Sequence, residues 1–262
     1  MLIATVIAGQ DWSPLRAALA LFVSLALQVG VNYSNDYSDG VRGSDDSRVG
    51  PIRLTATGLA SPDAVKRAAF ISFFLASLAG LALAALSSWW IIFVGAAAIA
   101  AAWRYTGGKN PYGYKGLGDI SVFIFFGVVA TVGTYYVQTL EITAKVLFAS
   151  IPMGSLSCAL LAINNLRDRV EDEKVGKRTL AVRLGDRKSR LYFLALIISA
   201  YVFAALSAKI WSLVTLATLP ISLPLMRKVL RGASGGALIP LLGLTGKLQI
   251  LFALTFAVAL SL

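Results

Sequence analysis

The sequence predicts an all-α fold threaded through a membrane, and three observations carry that expectation. Of the 262 residues, 57% are hydrophobic and only 14% charged, with mean hydropathy +0.75, more apolar surface than a water-soluble domain hides. The apolar residues recur in runs of about 20, the length at which a helix crosses the hydrocarbon of a bilayer. No segment between these runs is long and polar enough to fold separately in water, so one integral domain over 1–262 is expected. Within lipid every backbone polar group must be satisfied inside the protein, and contiguous apolar runs achieve this as helices.

In chain order, "MLIATVIAGQ" is apolar but too short to cross, and it lacks the basic n-region and cleavage site of a signal peptide. It reads as the tail of a helix, residues 1–9, whose start is absent from the chain. Eight complete spans follow, at about 13–36, 66–86, 88–104, 119–138, 144–166, 190–208, 210–230 and 240–262. The connections alternate. Those at 37–65, 105–118, 167–189 and 231–239 are long and basic, whereas those near Gln10–Ser13, Ser87–Trp90, Gln138–Ala144 and Ala208–Lys209 are short. The long side, with its span ends, holds all of the 24 Lys and Arg residues except Arg16, Lys145, Lys209 and Lys247. Positive charge marks the cytoplasmic side of a membrane protein, so the long loops are expected there. The net charge of +11 is thereby accounted for by topology, and nucleic acid is not an expected partner.

Composition also limits the chemistry. Cys158 is the only cysteine and there is no histidine, which excludes an internal disulfide, imidazole metal sites and Ser-His-Asp catalysis. Carboxylates, amides, hydroxyls, Lys and Arg remain. They concentrate in two places. In "NYSNDYSD", Asn32, Asn35, Asp36 and Asp39 fall at about 0°, −60°, +40° and −20° on a helix, one shared arc. In "AINNLRDRVEDEKVGKRTLAVRLG", Asn164, Asn165, Asp168 and Asp172 fall at about 0°, 100°, 40° and 80°. Either motif alone could be a solvated helix end, since Asn and Asp are favoured there. Two of them on one side of a membrane point to function, because carboxylates near hydrocarbon are costly. Hard oxygen donors without His or Cys suit Mg²⁺, which binds through a few carboxylates together with substrate phosphates. "VGPIRLTATGL" sets Arg53, Thr55 and Thr57 in a short segment after the first acidic motif, and Lys177 and Arg178, in "GKRTLAVRLG", can grip phosphate oxygens. The Gly- and Tyr-rich "YTGGKNPYGYKGLGD" has the composition of a loop that folds closely over a ligand.

These four stretches, with "NYSNDYSDGVRG" at their head, resemble the UbiA-type intramembrane aromatic prenyltransferases over essentially the whole chain. Within that family they are most similar to the branch that prenylates 1,4-dihydroxy-2-naphthoate in menaquinone biosynthesis. The resemblance implies a nine-helix bundle around a cavity open to lipid, with residues 1–9 as the truncated first helix. It also implies two acidic motifs facing each other at a cytoplasmic mouth and holding a polyprenyl diphosphate through Mg²⁺. Asp36 and Asp39 are then expected on one metal and Asp168 and Asp172 on another. Asn32, Asn35, Asn164 and Asn165 would serve as oxygen ligands or supports, and Lys177, Arg178 and Arg53 would hold the leaving diphosphate. Tyr33, Tyr105 and Tyr112 would screen the allylic cation. The expected product is a demethylmenaquinone, formed with loss of CO₂ and oxidation. In two respects the chain departs from the family pattern. It lacks the basic, Pro-containing entry to helix one, and Gly43 stands where the commoner pattern has a third Asp, with Asp45 and Asp46 further on.

Other readings remain open at this point. A related enzyme could use 4-hydroxybenzoate, a porphyrin or a chlorophyll precursor as acceptor. A divalent-cation transporter would also set carboxylates on facing helices, but near the midplane and accessible from both sides. A phosphatidyl-alcohol transferase would carry a single compact Asp-rich motif.

Overall fold

The computed structural model describes residues 1–43 and 52–262. Among them every regular element is helical. The order is α1 (Leu2–Ala8), α2 (Pro14–Val41), α3 (Pro62–Leu86), α4 (Ile91–Thr106), α5 (Gly118–Val122), α6 (Ala130–Thr139), α7 (Ala144–Lys174), α8 (Leu180–Ala208), α9 (Leu219–Leu230) and α10 (Leu238–Ser261). A π-helical stretch, Phe123–Val129, joins α5 to α6 into one rod, and a 3₁₀ stretch, Lys209–Thr218, leads into α9. Six stretches are long and apolar enough to cross a membrane, and two shorter apolar helices, Leu2–Asp11 and Ile91–Thr106, accompany them.

Helix starts follow local chemistry. Ser13 and Ser61 each accept a backbone N–H three residues on, from Arg16 and Ala64, and each is followed by Pro at the first helical position; proline there gives up an N–H that would otherwise lack a partner. Thr143 caps α7 in the same way, through Val146 N–H. The start of α2 is also tied to the end of α6. The Ser13 N–H donates to Gln138 Oε1 at 2.8 Å, and Arg16 donates to the carbonyls of Val137 and Gln138.

The core lies around α7, which packs most extensively on α8. Leu156 and Ile163 of α7 meet Phe193 and Ile197 of α8 and Phe252 and Phe256 of α10, all fully buried. Ala159 and Ala162 on α7 and Ala200 and Ala204 on α8 are buried in the same cluster, and small residues of this kind let helix backbones approach closely where lipid supplies no hydrophobic drive. One close approach is between Gly127 and Gly154, where a Cβ on Gly127 would stand 2.4 Å from the Gly154 Cα. The π-helical stretch contains Gly127, and its extra residue in the turn brings the backbone against α7.

α2 and α3 form the other extensive pair, but α2 is a thin wall. Only 11% of its apolar window is buried; Leu21, Leu25 and Val29 face outward, while Val23, Leu27 and Val31 line an interior cavity.

Several boundaries differ from the sequence expectation. Helix α2 runs on to Val41, past the expected boundary near 36, so the whole first acidic motif is helical and occupies the last turns of the helix. Helix α4 has 16 residues, about 24 Å at 1.5 Å per residue, short of a full crossing. The expected loop 167–189 is helical up to Lys174 and again from Leu180, with a break at Gly185, whose φ of 73° only glycine adopts without strain. In 210–230 the first turns are 3₁₀, ahead of Pro220 at the start of α9.

Candidate active site

A cavity of about 930 Å³ opens between α2, α3, α4, the α5–α6 rod, α7 and α10. Its wall is mainly apolar, but one end is polar, where Asn32, Asn35, Arg53, Tyr105, Tyr112 and Asn164 reach it. Tyr105 and Tyr112 meet edge to face with centroids 5.5 Å apart. The Tyr112 hydroxyl donates to Ala101 O at 2.9 Å and pairs with Ser121 Oγ at 2.8 Å. Burial pushes its ionisation up, against the opposing Ser121 hydrogen bond, so the phenol stays a neutral donor. Asn35 Oδ1 accepts from Thr106 Oγ1 at 2.8 Å, and Asn32 Oδ1 accepts from Gln28.

The four carboxylates stand beyond this wall, and two of them share one ammonium. Asp36, only 6% exposed, accepts the backbone N–H groups of Leu54 and Thr55, one on each oxygen, both at 2.9 Å. It thereby clamps the turn that carries Arg53. Asp39, 3% exposed, accepts from the Tyr114 hydroxyl at 2.8 Å on Oδ1 and from Lys177 Nζ at 3.4 Å on Oδ2. Asp172 lies 3.7 Å from the same ammonium. Asp168 is held in a fork by Arg167, at 2.6 Å from Nε and 2.7 Å from Nη2; this bidentate, charge-assisted geometry fixes the plane of the carboxylate. A single ammonium thus touches carboxylates of α2 and α7, and the two acidic motifs of the sequence meet within one cation's reach.

That juxtaposition fits Mg²⁺ in the donor chemistry it offers. Among the described residues no three carboxylates or thiols are gathered into a ready-made cage. An ion held by few protein oxygens, completed by phosphate oxygens and water, is the arrangement Mg²⁺ favours.

The expected site residues separate into groups. Asn32, Asn35, Arg53, Tyr105, Tyr112 and Asn164 come together on the cavity wall, and Asp39, Asp172 and Lys177 meet beyond it. Asn165 turns instead toward a small void beside Asp119 and Tyr192, so the second motif does not present one continuous face. Tyr33 is half-buried off the cavity wall. The Arg178 side chain is exposed, while its backbone N–H donates to Tyr114 O at 2.9 Å. Asp45 and Asp46 lie outside the described residues. The sequence reading missed Tyr114, Arg42 and Arg167. Tyr114 was one of three tyrosines in a single Gly-rich stretch, and the two arginines counted only as positive charge on the loop side.

The architecture and site define a class: a polytopic helical protein with an apolar cavity capped at one end by two acidic helix motifs. The UbiA prenyltransferase family model matches residues 1–237, and the chain belongs to that family. It is 48% identical over 248 residues to the 1,4-dihydroxy-2-naphthoate octaprenyltransferase of Mycobacterium tuberculosis, with 94% of this chain and 85% of that protein aligned. To the Escherichia coli protein of the same name it is 37% identical over 263 residues, covering 96% of this chain and 85% of the other. The fold is similar to the solved structure of a UbiA homolog from Archaeoglobus fulgidus bound to GPP and Mg²⁺, with TM-score 0.68 and 17% identity over 100% of this chain and 94% of that one.

Proposed function

We propose that the chain transfers a polyprenyl group from a polyprenyl diphosphate to 1,4-dihydroxy-2-naphthoate, releasing diphosphate and CO₂. The observation that carries this reading is the meeting of the α2 and α7 carboxylates through Lys177 at the mouth of a cavity of about 930 Å³. The identity to the naphthoate enzymes supports the choice of acceptor.

When bound, Mg²⁺ neutralises the diphosphate and allows it to approach the carboxylates. Asp39 and Asp172 are the first candidates to hold it, with Asp168 and the amide oxygens of Asn32, Asn35 and Asn164 around the mouth. Asp36 acts through the backbone of Leu54 and Thr55, and so places Arg53 on the cavity wall. Arg53 and Lys177 meet the leaving diphosphate as the allylic C–O bond breaks and negative charge collects there. Tyr105 and Tyr112 line the same end and offer ring faces to the carbocation. The ring carbon bearing the carboxylate supplies the electron pair for the new C–C bond. Departure of CO₂ returns a pair to the ring and restores aromaticity, giving the diol form of a demethylmenaquinone. The prenyl tail lies along the apolar wall. Within this reading the bundle counts as nine helices, with Leu2–Asp11 first and 209–230 eighth, and the mouth faces the cytoplasm of a bacterial-type membrane, on the side of the basic loops.

The test is incubation of the purified protein in lipid nanodiscs with Mg²⁺, octaprenyl diphosphate and a panel of aromatic acceptors, with products read by mass spectrometry. A prenylated, decarboxylated naphthalenediol is expected. Product formed only from a different acceptor would overturn the naphthoate assignment.

A further inference from the structure

We infer that Tyr114 is a positioning residue of the diphosphate mouth, fixing the Asp39 carboxylate through its hydroxyl and seating Arg42 and Lys177 against its ring. The inference rests on the reading of Asp39 and Lys177 as part of the diphosphate site.

The backbone of Tyr114 is held from two sides. It is the middle residue of the turn Gly113–Lys115, and its carbonyl accepts from Arg178 N–H at 2.9 Å. Gly116 follows with φ +75°, and a Cβ there would come within 2.8 Å of Arg183 Nε, so glycine is what lets the loop lie flat on the start of α8. The side chain then points back across the mouth to α2. Its hydroxyl donates to Asp39 Oδ1 at 2.8 Å while Lys177 takes Oδ2, so the two oxygens have different partners and rotation of the carboxylate is opposed in both senses. Arg42 Cζ stands 5.2 Å and Lys177 Nζ 5.1 Å from the ring centroid, within the range of cation–π attraction. Arg42 also donates to the carbonyls of Thr106 and Gly108, at the root of the same loop. One residue therefore joins a carboxylate of the first acidic motif and two cations through its side chain, and the connection after the second motif through its carbonyl. A tyrosine that merely plugged the loop would need none of these polar contacts.

The experiment compares wild type, Tyr114→Phe, Tyr114→Leu and Asp39→Asn in nanodiscs. Two quantities are read: the Mg²⁺ concentration giving half of the melting shift induced by inorganic diphosphate, and KM for each substrate. Tyr114→Phe keeps the ring and loses one charge-assisted hydrogen bond. Its Mg²⁺ midpoint and its KM for prenyl diphosphate are expected to rise about tenfold, with KM for the naphthoate unchanged. Tyr114→Leu also loses the ring face and is expected to shift further in the same direction. Should Tyr114→Phe lower the melting temperature of the free protein, Tyr114→Trp, aromatic but without the phenol, makes the same comparison. A Tyr114→Phe titration superimposable on wild type overturns the inference, as does an equal rise in both KM values. If Asp39→Asn also titrates like wild type, the diphosphate site itself has been misread. If Asp39→Asn abolishes the shift and Tyr114→Phe does not alter it, only the role of Tyr114 falls.

Discussion

The acidic residues of the mouth differ in what they hold, and their substitution should differ accordingly. Asp36 binds backbone, so Asp36→Ala is expected to cut turnover by at least about a hundredfold and also to free the turn at Arg53. Limited trypsin digestion should then cleave after Arg53 in the variant while wild type resists; equal resistance would show that the clamp is not needed. Arg167 holds Asp168 by a two-pronged fork that a lysine cannot reproduce. Arg167→Lys is expected to weaken apparent Mg²⁺ affinity by about 10- to 100-fold, the range seen when groups that orient a ligand are lost. A Mg²⁺ titration of prenyl transfer measures this. At this scale the sequence was legible in kind. Helical phase identified both acidic motifs, and positive-inside charge placed them on one side. It did not show that Asp36 faces a loop backbone, since its partners Leu54 and Thr55 lie 18 and 19 residues away and carry no motif of their own. Nor did it show that Asn164 and Asn165 part company, because adjacent residues on a helix differ by about 100° and the packing of α8 decides which side is the cavity.

At the level of the element, the sequence predicted helices from runs of apolar residues, and those runs are helical. What it missed were irregularities set by contact between helices. The π-helical stretch Phe123–Val129 lies in a uniformly apolar run, "VFIFFGVV", where nothing in the pattern marks an extra residue in the turn. Within it Gly127 comes against Gly154 on α7, a contact between residues far apart in the chain that the apolar run does not announce. Gly127→Val is therefore expected to force these backbones apart and to destabilise the bundle by about 1–3 kcal/mol or more, the range for overpacking a close contact. A fall in melting temperature and in yield from the membrane would register it. By the same reasoning Gly58→Ser, at a position where a Cβ meets nothing within 4 Å but φ is +72°, should cost only the backbone strain of a left-handed residue, about 1 kcal/mol.

For the molecule as a whole, the cavity is the organising feature. Gly80, Gly95 and Gly133 line it, and a Cβ at any of them would meet nothing within 4 Å. Gly95→Phe is expected to fill the space a tail would use with little effect on folding. Transfer from octaprenyl diphosphate should fall about tenfold or more relative to transfer from geranyl diphosphate, as measured by competition between the two donors; an unchanged ratio would place the tail elsewhere. The family resemblance implied such a cavity, but the apolar runs by themselves did not. It arises from which faces of α2, α3 and α4 turn inward, a property of tertiary packing that apolar runs do not encode, because in lipid the inward and outward faces are equally greasy.

The thinness of the α2 wall has a thermodynamic consequence. A single helix separates the cavity from the outward-facing Leu21, Leu25 and Val29, so the tail of a membrane-dissolved donor passes from one hydrocarbon medium to another. Burial of apolar surface contributes affinity only when water is displaced, and a tail that moves from lipid into an apolar cavity filled by lipid chains displaces none. Each added isoprene unit should then change selectivity through shape alone and leave the dissociation constant, expressed as a mole fraction of lipid, nearly flat. Diluting the donor with inert phospholipid at constant bulk concentration should slow turnover, the surface-dilution behaviour of a catalyst whose solvent for one substrate is the bilayer itself.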